Sequence, residues 1–132
     1  MTQKALLQSA GDGTAIPAGY VGETLSNTST TTITTSFQNL VSLTLNQGYW
    51  LVFGYVSAGS SSNCNLQARM AVSGSQVGFS PSATIVAGLF GQVSLSRPIL
   101  ITSAATPVTI QGQISAGTGT AGAYELFAVR IA

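Results

Sequence analysis

The chain has 132 residues, the length of one domain, which buries roughly two-thirds of its unfolded surface. Only 5% of the residues are charged, against about 25% in an average soluble protein, while 45% are hydrophobic; disorder requires the opposite balance. The net charge of +1 comes from scattered cations (Lys4, Arg69, Arg97, Arg130), so there is no patch to neutralise phosphates, and no run approaches the ~18 apolar residues of a membrane span.

Residues 1–20 read as an N-terminal arm ahead of a β domain over 21–132. "KALLQSA" offers Leu6 and Leu7 for burial but is too short to fold alone. Its apolar core is also too short for a secretory signal, so the expectation is synthesis in a cytoplasm without a signal peptide. In "GDGTAIPAGYVGE", Gly11 and Gly13 flank Asp12 in a turn composition, and Pro17 fixes its own φ while pushing Ile16 to an extended conformation. The stretch reads as a semi-rigid lead-in, with Tyr20 its exposed aromatic. A phosphate-cradling loop would need a helix after it, and "ETLSNTSTTT" is not helical.

From there the chain shows short β-branched and aromatic runs punctuated by Gly, Ser, Asn and Pro, with almost no helical period. Strands are predicted at 19–27, 31–37, 40–46, 49–58, 65–72, 83–89, 99–102, 108–115 and 123–131. The separators are "NQG", "SAGSSSN", "SGSQ" and "SAGTGTAG". Short strands at this spacing predict an all-β, antiparallel jelly-roll sandwich.

The strand "YWLVFGYV" is apolar on both of its alternating faces, Tyr49, Leu51, Phe53 and Tyr55 on one and Trp50, Val52, Gly54 and Val56 on the other. A strand with one wet face should alternate with polar residues. The C-terminal strand repeats the pattern, with Tyr124, Leu126 and Ala128 opposite Phe127, Val129 and Ile131. A second sheet covers only one face, so identical subunits are the simplest cover for the other. The expectation is a homotrimer, with Tyr49, Leu51, Phe53, Tyr55, Tyr124 and Leu126 at its interface.

Most catalytic chemistry lacks its residues. There is no His, and Cys64, the single cysteine, reads as a small buried hydrophobe. Zinc sites of the N/S type and Ser/His/Asp catalysis are therefore excluded within one chain. The acids are Asp12, Glu23 and Glu125, and Glu125 reads as an ion-pair partner for Arg130. No enzymatic activity, cofactor or metal is expected.

"NQGYWLVFGYVSAG", "NLQARMAVSGS", "ILITSAATPVTIQGQISAG" and the terminal "YELFAVRIA" resemble, in layout over roughly residues 36–132, the trimeric jelly rolls of the complement globular-head and tumour necrosis factor type. Gly48, Tyr49, Trp50 and Phe53 match the turn and aromatic strand, and Leu66 to Val72 match its hairpin partner. The opening stretch is similar to segments of tailed-bacteriophage fibre and virion-surface proteins, through Asp12, Ile16, Pro17, Gly19, Tyr20, Gly22 and Glu23. The resemblance implies a virion-surface location, with Leu6, Leu7, Ile16, Pro17 and Tyr20 attaching the chain to other virion proteins such as the capsid, tail or fibre base. The chain has no long shaft, so it would be a short module. The polar loops carrying Ser60, Ser61, Ser62 and Asn63, Phe79, and Thr118 and Thr120 would contact a host receptor or glycan. A capsid decoration protein is the alternative within the same setting, and a small soluble lectin or cytokine-like ligand the alternative outside it.

Overall fold

Nine strands form two antiparallel sheets in the computed structural model, which describes residues 16–132. They are β1 (Thr24–Ser29), β2 (Gln38–Leu45), β3 (Gly48–Gly59), β4 (Cys64–Val72), β5 (Ser75–Val77), β6 (Ser82–Ile85), β7 (Phe90–Ile101), β8 (Thr106–Ile114) and β9 (Ala123–Arg130). One sheet has the order β1-β9-β3-β7 and the other β2-β8-β4-β5, with β6 also paired to β4. Apart from the β4–β5–β6 run, each strand is followed by one in the opposite sheet, a jelly-roll-like wrapping. The all-β sandwich expected from the pattern is therefore present.

The core lies between the inner faces. Trp50, Val52, Val56, Tyr124 and Leu126 face it from the first sheet, and Leu66, Met70, Val108, Ile110 and Ile114 from the second. Gly54 is needed at its position, since a Cβ there would lie 2.5 Å from Cδ1 of Ile110. Every buried side-chain nitrogen and oxygen among the described residues has a hydrogen-bond partner.

Four element expectations differ from the structure. The first strand begins at Thr24, because Gly19 and Gly22 adopt φ of +86° and +92°, values a strand cannot use. Residues 31–37 are not a strand; they carry the chain from one sheet to the other, with one β-bridge from Thr32 to Ala121, separate hydrogen bonds at Thr31, Ile33 and Thr34, and Ile33 buried beneath. "SGSQ" is only half a turn: Ser73 and Gly74 turn with positive φ, and Ser75 and Gln76 begin β5. The strand expected at 83–89 stops at Ile85, and β7 occupies Phe90–Ile101, where only 99–102 was expected. Gly91 and Pro98 hid it. Pro98 is tolerated because β7 is an edge strand, where a missing N–H breaks no ladder.

Candidate functional site

The two ends of the sandwich differ in chemistry. At one end the lead-in segment is fastened to the last strand. Tyr20 N–H donates to Pro17 O (3.3 Å) and Glu23 N–H to Tyr20 O (3.0 Å), forming two successive turns. Gly22 N–H donates to Arg130 O, and Arg130 N–H returns a bond to Glu23 O, at 2.7 and 2.9 Å. The side chains repeat the link: Arg130 Nε lies 3.1 Å from Glu23 Oε2, and both residues are buried. Gly19 N–H caps the same carboxylate oxygen at 2.7 Å. The guanidinium also donates to Gln47 O at 2.6 Å and stacks over the Trp50 ring, 4.5 Å from its centroid. Gly48 leaves the room for this, since any Cβ there would collide with Arg130 Nη1. Arg130 therefore pairs with Glu23 and not with Glu125. Arg130 sits on the inward face of β9 and Glu125 on the outward one, because their positions along the strand differ in parity.

Of the expected attachment residues, Ile16 and Tyr20 are half-buried and Pro17 is exposed. Leu6 and Leu7 lie outside the described residues.

The opposite end is a cluster of interlocked loops. Ser61 N–H donates to Thr118 O (3.0 Å), and Thr118 N–H to Ser61 Oγ (2.9 Å). Ser60 is not an exposed contact: it is 2% accessible, and its hydroxyl donates to Ala116 O. The structure puts it under the loop because its backbone bridges to Gly119. Asn63 is exposed, but its carbonyl oxygen accepts from Ala87 N–H at 2.8 Å. Ser61, Thr118 and Thr120 are exposed and Ser62 half-buried. Val86, Leu89 and Phe90 also reach solvent at this end, on a turn that sequence reasoning absorbed into a strand; the Ala-Gly pair at 87–88 was the available signal. No charged residue occurs in segments 30–37, 60–63, 86–89 or 115–122. Phe79 lies elsewhere, on the flank of the sandwich between β5 and β6, and is 92% exposed.

The outer faces of the two sheets also differ. The β2-β8-β4 face is polar and cross-linked: Arg69 Nε donates to Gln111, Gln111 to Asn39 and Gln113 to Gln67, at 2.8–3.0 Å. Ser42 and Thr109 share a hydroxyl bond of 2.8 Å, and Arg69 covers the Phe37 ring. The outer face of the β1-β9-β3-β7 sheet is apolar along β9 and β3 instead, with Thr24, Ser26 and Thr28 of β1 and Ser94 and Ser96 of β7 at its margins. Phe53 pairs across to Phe127, and Leu51 to Val129. Tyr49, Tyr55, Pro98 and Leu100 extend the same face. Tyr49, Leu51, Phe53 and Tyr55 therefore lie on the outer face. Tyr124 and Leu126 do not: they are 2% and 0% accessible and point into the core. Their place on the outer face is taken by Phe127 and Val129. The Tyr124 hydroxyl donates to Thr31 O at 2.6 Å, and burial raises its pKa more than the backbone of Gly122 lowers it. Cys64 is half-buried against the core with a free thiol.

No group of His, Cys, Asp or Glu among the described residues is arranged to hold a metal ion. No family model and no curated protein matches the sequence. Solved structures share the fold. A chain of infectious bursal disease virus, Gx strain, superposes with a TM-score of 0.62 at 13% identity, over 89% of this chain and 37% of that one. The VP2 subviral particle of the same virus gives 0.55 at 13% identity, over 89% and 38%. A chain of its T13 viral particle gives 0.52 at 13% identity, over 91% and 41%. This chain thus spans well under half the length of the viral chains it is similar to.

Proposed function

We propose that this protein is a non-enzymatic structural module of a virion surface, a homotrimer of the fibre-head type found on tailed phages. The observation that carries this reading is the opposition of its two ends. The N-terminal arm joins the domain beside Arg130, where a buried ion pair and backbone bonds fasten Gly22 and Glu23 and Gly19 N–H caps the carboxylate. The uncharged loop cluster lies at the far end of β3, a strand of twelve residues whose ends are about 36 Å apart at ~3.3 Å per step. A module held by its arm would therefore present Ser61, Ser62, Thr118 and Thr120, with Val86, Leu89 and Phe90, toward a host receptor or glycan. The apolar outer face of the first sheet supports assembly, because a free face of this kind resembles half of an obligate interface. Such a trimer would bury roughly 2,000 Å² or more in total.

The likeness to chains of a virus particle supports a virion role and favours a second reading, a decoration protein that stabilises a capsid. Imaging particles that carry the protein distinguishes the two. In the first reading, deletion of residues 1–18 leaves the melting temperature nearly unchanged but lowers incorporation into particles, while Thr118→Arg together with Leu89→Asp lowers adsorption to cells. In the second, the loop variant adsorbs normally and particles lacking the protein lose heat resistance. Absence of the protein from purified particles refutes both.

A further inference from the structure

We infer that the subunits of the trimer meet flank to face, with Phe79 of one copy seated in a depression on the apolar sheet of the next and Arg97 paired there with Glu125. This rests on the homotrimer reading above and assigns the two surfaces that touch. An open depression of about 360 Å³ lies on the outer face, lined by Phe53, Tyr55 and Phe127, by Ser94 and Ser96, and by Glu125. It exists because β7 places small serines beside the aromatic rows of β3 and β9. On the flank, the loop between β5 and β6 holds Phe79 out into solvent, 92% exposed beside Arg97. A benzyl group so exposed buries little of its surface in the monomer, and an aromatic-walled depression would accept it.

The charges are complementary in the same sense. Three of the five charged side chains among the described residues have partners, Glu23 and Arg130 in each other and Arg69 in Gln111 and the Phe37 ring, which leaves Arg97 and Glu125 without an ion pair or hydrogen bond. Arg97 stands on the flank and Glu125 in the depression. A contact between two different patches is heterologous, so it closes into a ring or runs on as a filament. These patches adjoin around β7, with Ser94 and Ser96 lining both, so the competing closure is a two-fold pair in which each copy fills the other's depression, and a dimer in sedimentation would overturn the three-membered ring.

The test is the oligomeric state by sedimentation of the full chain at micromolar concentration. Arg97→Glu and Glu125→Arg should each weaken association at least tenfold, and the double variant R97E/E125R should recover most of it. Phe79→Ala should also dissociate the assembly. Far-UV circular dichroism of the dissociated variants should match that of the wild-type chain, because all three residues are exposed. A wild-type trimer indifferent to all three single changes but dissociated by Phe53→Asp would overturn this arrangement and leave the trimer standing. Failure of the double variant to recover association would overturn the charge pairing. A monomeric wild-type chain would remove the trimer reading itself, and this inference with it.

Discussion

Replacing Glu23 by Ala tests whether the lead-in segment is part of the folded domain. The carboxylate accepts from Arg130 Nε at 3.1 Å and Gly19 N–H at 2.7 Å, and it is 6% accessible. Removal leaves the Arg130 guanidinium, 5% accessible, with the Gln47 carbonyl and the Trp50 ring but no counter-charge. Breaking one side of a buried pair costs about 3–5 kcal/mol, since the remaining charge stays desolvated. The retained carbonyl bond and ring stacking place this case near the lower bound. For a domain of this length the loss corresponds to a fall in melting temperature of about 10 °C. Calorimetry and urea unfolding of the variant should both report it. Replacing the pair together, as Glu23→Leu with Arg130→Met, should recover part of the loss, because two apolar groups leave no buried charge. A change below about 1 kcal/mol for Glu23→Ala would mean that the pair is solvated in solution, and the fastening of the arm would lose its main support.

Leu126→Ala should lower stability by about 2–5 kcal/mol in chemical unfolding without altering subunit association, since Leu126 fills the core and not the outer face. Tyr124→Phe should cost about 1 kcal/mol by removing the hydroxyl donor to the Thr31 carbonyl, which keeps only the longer bond from Gly122 N–H, read from the midpoint in urea. The raised pKa of Tyr124 keeps its proton in the folded state while the unfolded phenol ionises near pH 10. Stability should therefore be unaffected by this group below about pH 10 and fall as the pH rises above it, less steeply in Tyr124→Phe. Chelators and added calcium or zinc should leave the melting temperature unchanged, given the absence of any clustered ligand set among the described residues.

Composition and period-two alternation were enough to establish an all-β sandwich, and "YWLVFGYV" was enough to show that this strand carries apolar side chains on both faces. Alternation cannot say which face is inside. That choice depends on register, and the pairing of Val56 with Tyr124 and of Gly54 with Leu126 puts Tyr124 and Leu126 in the core. Parity alone could have separated Arg130 from Glu125. It could not have found Glu23, which lies 107 residues away and meets Arg130 only because β1 and β9 are neighbours. The edge strand β7 was hidden for a related reason: Gly91, Pro98 and its outward serines read locally as loop. An edge position tolerates proline and small polar residues that a central strand would exclude. The separation of the arm from the uncharged loops, and the isolation of Phe79 on the flank, depend on which strands the chain wraps together, and only the tertiary structure decides that.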